Sequence, residues 1–297
     1  MENRLISVVI TTYGRTFTFI RKAVESVAKQ TYPQIEILVV DDNGIDSPLG
    51  IELEEGLSSL GDPRITLIHH QTNQGACAAR NTGIAQAKGE YIAFLDDDDE
   101  WLPEKIALQE AVLTNDPTIG LVYCNYFLQV GDQPMRPKRK NSFNGYVFDK
   151  LLYRNFIGST SFVMIRRTVV EQCGPFNINM KSSQDYEYWL RISKRFKIFG
   201  LQQNLVIYHA HAGQRITTSV QNRIDGIEML NSIYHDDMVK SKRILSRRKL
   251  VLAPYYVARD GYVKGMAYAL KTYFLYPFSL VSLAMVILSG LGKKPSW

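Results

Sequence analysis

YIAFLDDDDEW, residues 91–101, joins an apolar run to four consecutive carboxylates, Asp96 to Asp99, and closes on a tryptophan. YIAFL has the length and make-up of a buried strand. Like charges packed together repel. The run is therefore either a solvated acidic turn, with Asp99 or Glu100 helping to cap the next helix, or a site that holds a cation. In an extended segment alternate side chains share a face, which brings Asp96 and Asp98 together and sends Asp97 elsewhere. Two converging carboxylates resist double ionisation unless a cation sits between them. Mg²⁺ and Mn²⁺ favour such oxygen ligands and are often completed by phosphate oxygens.

The flanking sequence places this stretch in an α/β pattern. LISVVITTY, IEILVVDD, RITLIHH and YIAFL read as strands. They alternate with helical segments TFTFIRKAVESVAKQ (Phe19, Ile20, Ala23, Val24 and Val27 on one side), PLGIELEEGLSSL, GACAARNTGIAQAK and PEKIALQEAVLT, the last with Pro103 near its first position. GLVYCNYFL follows as another strand. Such alternation predicts right-handed βαβ units around a mostly parallel, Rossmann-like sheet flanked by helices. Ligands then bind beyond the carboxyl ends of the strands. Three of those ends are polar: TTYGR, the pair Asp41–Asp42, and the Asp96 cluster.

After Leu128 the pattern loosens. PMRPKRK (134–140) reads as an exposed loop, solvated or touching an acceptor phosphate. STSFVMIRR reads as a strand, SQDYEYWLRISKRF as a helix with Tyr186, Trp189, Ile192 and Phe196 inward, and LVIYHAHAG as a short strand. From about residue 220 the chain reads as helical, giving expected domains of 1–218 and a C-terminal helical appendage of 219–297.

A net charge of +6 permits phosphate-rich partners without choosing among them; a nucleic acid is not expected. Cys77, Cys124 and Cys173 are widely spaced and odd in number, which argues against disulfides and zinc and for a reducing cytoplasm. The N-terminal apolar run is too short for a signal peptide. Residues 272–292 carry no charge. Pro277 and two glycines favour an interfacial helix there, with a membrane span or a buried or homodimer-forming helix as the alternatives. The basic run KSKRILSRRK (240–249) is either a solvated helix face or a contact for the anionic inner membrane surface.

SVVITTYGR, EILVVDDNGID, NQGACAARNTGIAQAKGEYIAFLDDDDEWLPEKI and GPFNINMKSSQDYEYWLR occur in that order. Together, over residues 5–212, they resemble the large family 2 of inverting GT-A glycosyltransferases, especially bacterial enzymes that build cell-surface polysaccharide. Thr11 stands where the family has proline and Gly14 where it has asparagine. The resemblance implies that Thr11, Thr12, Tyr13 and Arg15 lie near the diphosphate or base of a nucleotide, and Asp41 and Asp42 near uracil or ribose. Asn73, Arg80 and Asp97 complete the nucleotide pocket, with a structural role for Arg80 and Asn81 left open. Asp96, Asp98 and His211 match the metal site for Mn²⁺ or Mg²⁺.

Asp185 matches the family's general base, and a helix N-terminus there favours the charged carboxylate. Gln184 replaces the usual Glu, and Glu187 is a second candidate base. His209 stands where Arg is usual, and Arg215 is a candidate phosphate contact. The implied function is transfer from a nucleotide-diphospho-sugar, UDP-linked, to a hydroxyl of a growing glycan on a lipid carrier, at the cytoplasmic face of the inner membrane. A nucleotidyl- or phosphotransferase, and a non-catalytic nucleotide-sugar-binding subunit of a polysaccharide assembly complex, are the competing readings.

Overall fold

The computed structural model describes residues 4–138, 142–210 and 219–277, with isolated positions 283, 284, 286, 287 and 291 beyond them. His211, Arg215, Arg139 and Lys140 lie outside the described residues. The chain clusters into two compact units. The first comprises residues 1–147, 156–178 and 191–212; the second comprises 148–155, 179–190 and 213–297.

The first unit opens with β1 (Ile6–Thr12), α1 (Phe17–Ala28), β2 (Ile35–Asp41), α2 (Pro48–Ser59), β3 (Ile65–His69), α3 (Ala76–Gln86) and β4 (Tyr91–Asp96). β5 (Glu100–Trp101), α4 (Lys105–Asn115), β6 (Ile119–Val130) and β7 (Arg136–Lys138) follow. After α5 (Phe148–Tyr153), which belongs to the second unit, come a 3-10 turn (Thr160–Phe162), β8 (Val163–Arg166) and α6 (Arg167–Cys173). α7 (Gln184–Ser193) leads into the long β9 (Lys197–Ala210).

The strands form one sheet in the order β3-β2-β1-β4-β8-β6-β9-β5, with β7 paired on β6. β3, β2, β1 and β4 run parallel. Their near-continuous apolar runs suit burial on both faces: Ile6, Val8, Val9 and Ile10 of β1 and Ile92 to Leu95 of β4 are at most 1% exposed. β8 enters antiparallel to both β4 and β6, so the sheet is mixed beyond its parallel half. β9 then runs parallel to β6.

Local sequence accounts for the helices. α1 buries Ile20, Ala23, Val24 and Val27, the stripe its periodicity marks out. α2 starts where Ser47 Oγ accepts from Gly50 N at 2.9 Å. α3 follows Gly75, whose φ of 87° suits glycine. α4 begins at Lys105, so Pro103 precedes the helix and does not occupy its first turn. PMRPKRK is not wholly loop: Arg136–Lys138 pairs with Tyr126–Leu128.

The second unit holds α5, the first turns of α7, and α8 (Val220–Ile233), α9 (His235–Val239), α10 (Lys242–Leu250), α11 (Ala253–Asp260) and α12 (Tyr262–Tyr273). Ile224, Ile227 and Leu252 form one small core and Leu250, Ala253, Ala269 and Val286 another. Part of the basic run of α10 is folded inward, while Lys242 and Arg243 are exposed. Arg247 and Arg248 are buried, Arg247 5.8 Å from the Tyr153 ring and Arg248 5.0 Å from that of Tyr186. These guanidiniums stack on aromatic faces inside the unit, so they do not form an exposed cationic stripe. Among the described residues no helix is long and apolar enough to cross a membrane.

Gly83 of α3 tests the packing. Helix propensity alone gives Gly83→Ala about 1 kcal/mol of added stability. A Cβ there would lie 2.3 Å from Val9 Cγ1 in the sheet, so overpacking reverses the sign. Thermal melts are expected to show Gly83→Ala less stable than wild type by about 1–3 kcal/mol.

Candidate active site

The register of the parallel half brings three polar strand ends together. Thr11 pairs with Asp96 of β4, and Thr12 pairs with Asp41 of β2. β4 ends at Asp96, and Asp99 N donates to Asp96 O at 3.1 Å, closing residues 96–99 into a tight turn. The alternating geometry expected of an extended strand therefore stops at Asp96. The four carboxylates take four different environments.

Asp96 is anchored within the protein. Arg80 Nη2 and Thr160 Oγ1 donate to its Oδ1 at 2.7 and 2.9 Å, and Ser159 Oγ donates to Oδ2 at 3.0 Å. Burial acts to raise its pKa, but the Arg80 charge and these hydrogen bonds hold the carboxyl below the ordinary range. Asp97 Oδ2 accepts from Thr12 Oγ1 at 2.7 Å. Burial, with Asp98 and Asp96 adding to it, pushes Asp97 up to about 7 against the pull of Thr12 and Arg15.

Asp99 is only 1% exposed and does not cap a helix. Its Oδ1 accepts from His209 N at 3.2 Å, and its Oδ2 has no hydrogen-bond partner among the described residues. Burial and the charges of Asp96 and Asp98 raise its pKa well above the carboxylate range. His209 turns its ring to Glu100, with Nε2 2.9 Å from Oε1, which lowers the Glu100 pKa. The ring thus has a protein partner.

Asp98 lines a cleft of about 250 Å³ together with Asp97, Asp99, Glu100, His209, Thr16, Thr18, Phe19 and Lys22. Arg15 stands at the same rim, its guanidinium carbon 4.2 Å from the Phe19 ring centre. Tyr13 is 60% exposed, and Asn73 is exposed in the loop before α3.

Asp41 and Asp42 are buried and engaged inside the fold. Asp41 Oδ1 accepts from Asn43 N and Nδ2, and Oδ2 hydrogen-bonds His69 Nδ1 at 2.9 Å. Asp42 Oδ1 meets His70 Nδ1 at 2.7 Å and accepts from Gln74 N, while Oδ2 accepts from Gly75 N. Through these bonds the pair shapes the loops after β2 and before α3. Asn81 is structural as well: it makes two hydrogen bonds to the backbone of Phe176, at 2.8 and 2.9 Å.

In the second unit, Asp185 lies in the first turn of α7, and its Oδ1 accepts from Tyr186 N at 2.7 Å. Glu187 is 3% exposed beside the Tyr234 hydroxyl, an enclosed setting for a candidate base.

Three hydroxyl residues after Gly158 escaped the sequence reading, which assigned STSF to a strand. Ser159 and Thr160 hold Asp96. Ser161 Oγ accepts from Asp96 N, and Ser161 O accepts from Trp101 Nε1. Trp101 in turn covers the fully buried Lys105, whose Nζ is 3.7 Å from the ring centre and whose pKa burial pushes down to about 7. Gly158, with φ of 89°, followed by three hydroxyls was the available signal.

The donor set suits a hard divalent cation. It is rich in carboxylate oxygen, with Asp97 and Asp99 raised in pKa by burial and by the charges of Asp98 and Asp96. Among the described residues no three His, Cys, Asp or Glu side chains are placed to hold a metal by themselves. One or two carboxylates completed by substrate phosphates is the arrangement Mg²⁺ commonly accepts. Asp96 is engaged by Arg80, Thr160 and Ser159, whereas Asp98 lines the cleft.

The fold is that of GT-A glycosyltransferases. The chain superposes on S. aureus TarS with a TM-score of 0.63 at 16% identity, covering 96% of this chain and 89% of that one. A mannosyltransferase from Pyrobaculum calidifontis, solved with GDP-Man and Mn²⁺, superposes with a TM-score of 0.59 at 16% identity, over 98% and 87% of the two chains. The protein belongs to glycosyl transferase family 2, whose sequence profile matches residues 7–174, and it is a glycosyltransferase. It is 33% identical to the putative colanic acid biosynthesis glycosyl transferase WcaA of Escherichia coli, over 76% of this chain and 79% of the relative. It is 32% identical to the Escherichia coli UDP-Glc:alpha-D-GlcNAc-diphosphoundecaprenol beta-1,3-glucosyltransferase WfgD, over 65% and 72% of the two chains.

Asp97 gives a pH-dependent prediction. A carboxyl with its folded pKa raised to about 7 from 3.8 leaves the fold progressively less stable as pH climbs between those values. Asp97→Asn keeps an acceptor for Thr12 and removes the charge. Its melting temperature is expected to exceed wild type by about 2–4 °C above pH 7, and the gain to shrink as pH falls toward 4.

Proposed function

We propose that the protein is an inverting, metal-dependent transferase that moves a sugar from a nucleotide-diphospho-sugar, UDP-linked, to a hydroxyl of a glycan being built on a diphospho-lipid carrier. The observation that carries this reading is the acidic turn 96–99 closed at the end of β4, with Asp96 in register with Thr11 and Asp97 to Asp99 lining the cleft. The printed names of the relatives supply the donor and acceptor classes: WfgD is a UDP-glucose enzyme acting on a diphosphoundecaprenol-linked sugar, and TarS has been solved with UDP-GlcNAc.

In this reading Asp98 holds Mn²⁺ or Mg²⁺, with His211 as a second ligand. When bound, the cation neutralises charge on the departing diphosphate. Arg80, Ser159 and Thr160 fix the turn by gripping Asp96, so that its position is set before substrate arrives. Thr12 orients Asp97 toward the ribose, and Arg15 and Tyr13 stand at the rim where phosphate or base would lie. Asp41 and Asp42 act through the loops they order, which carry Asn43, Asn73 and Gln74. Asp185 takes the proton from the acceptor hydroxyl as that oxygen attacks the sugar carbon from the side opposite the diphosphate.

Incubation with a panel of UDP-, GDP- and dTDP-sugars, Mn²⁺ and a lipid-diphosphate-linked sugar acceptor tests the reading by nucleoside diphosphate release. Release with a UDP-sugar is expected; no release and no nucleotide binding across the panel would overturn it. Asp98→Ala is expected to abolish Mn²⁺-dependent UDP binding in calorimetry. Asp185→Asn is expected to bind UDP as wild type does but to lose at least about a hundredfold in kcat. Wild-type turnover in Asp185→Asn would move the base to another residue.

A further inference from the structure

We infer that the exposed apolar face of α12 docks the protein on a bilayer surface carrying anionic lipid headgroups. One side of α12 is committed to the second unit's core. Gly265, Ala269 and Thr272 are buried, Ala269 packs with Leu250 and Ala253, and Ser246 Oγ donates to Thr272 O at 3.1 Å. The other side is apolar and open. Val263, Ala267, Leu270 and Phe274 follow one another by four, three and four residues, which places them in a single stripe. Val263 is 79% exposed, Phe274 70% and Leu270 45%. Farther on, Leu283, Ile287 and Leu291, each four residues from the next, are also exposed, while Val286 is buried against the same core as Ala269.

Charge selects the occupant. Lys264 and Lys271, seven residues apart and both exposed, flank the stripe on one side. From Gly261 to Trp297 the sequence contains Lys264, Lys271, Lys293 and Lys294 and no aspartate or glutamate. The last acidic residue before this segment, Asp260, is paired with Arg259 at 2.7 Å. A second copy of the chain, meeting this face with its own, would bring the same lysines and no carboxylate to receive them. A layer of anionic headgroups above acyl chains complements both features at once: apolar side chains enter the interface and the lysine ammoniums reach the phosphates. Among the described residues no helix is long and apolar enough to cross a membrane. Of the basic run 240–249, read from sequence as a solvated face or a membrane contact, Arg247 and Arg248 are buried, while Lys240, Lys242 and Arg243 are exposed. This inference is independent of the donor and acceptor assigned above.

The test is co-sedimentation of the full chain with vesicles of mixed phosphatidylglycerol and phosphatidylcholine, and with vesicles of phosphatidylcholine alone. Wild type is expected to sediment with both and more tightly with the mixed vesicles, the difference disappearing at high salt. Leu270→Glu with Phe274→Glu is expected to lose at least about tenfold in affinity for both. Lys264→Glu with Lys271→Glu is expected to lose the preference for phosphatidylglycerol while melting as wild type does. The inference is overturned if wild type stays in the supernatant, or if both variants sediment as wild type does. It is also overturned if sedimentation equilibrium shows a wild-type dimer that the Leu270/Phe274 variant dissociates, without vesicle binding by either; the face would then be a self-association surface.

Discussion

The grip on Asp96 is the interaction on which the site depends. One guanidinium and two hydroxyls, from a helix on one side and a 3-10 turn on the other, converge on a carboxylate at the end of a buried strand. Charge-assisted hydrogen bonds of this kind are about twice as strong as neutral ones. Here they neutralise the first of four adjacent acids. With Asp96 satisfied, the turn to Asp99 closes and the remaining carboxylates are presented at a defined place. Without the grip, the Asp96 charge would stand uncompensated beside Asp97 and Asp99, whose carboxyls it already raises.

The same division of labour runs along the rim. Asp41 and Asp42 look like ligand contacts in the sequence, yet their oxygens are taken by Asn43, His69, His70, Gln74 and Gly75. They shape the loops after β2 and before α3. Asp97 and Asp99 are the opposite case: burial and the charges of Asp98 and Asp96 raise both carboxyls above the ordinary range.

Much of this was legible. Apolar runs of five to seven residues alternating with amphipathic segments identify β1 to β4 and their helices, because a doubly covered parallel strand has no reason to alternate. The strand-end position of DDDD was equally readable. The individual roles of its aspartates were not, because they depend on partners far away in sequence: Arg80, 16 residues before Asp96, and Ser159 and Thr160, 63 and 64 residues after it. Nor does a basic run in the sequence say that Arg247 and Arg248 will turn inward onto Tyr153 and Tyr186. That outcome was set by aromatic rings supplied by α5 and α7. The antiparallel entry of β8 likewise follows from long-range pairing, which local periodicity does not encode.

The most direct test of the central claim, that Asp96 anchors the turn while Asp98 receives the cation, is an anomalous difference map from crystals grown with UDP and Mn²⁺. The account predicts a manganese peak at coordination distance from an Asp98 oxygen, with Asp96 still bonded to Arg80, Ser159 and Thr160. A peak on Asp96 with Arg80 displaced, or no peak at the turn while UDP is bound, would contradict it.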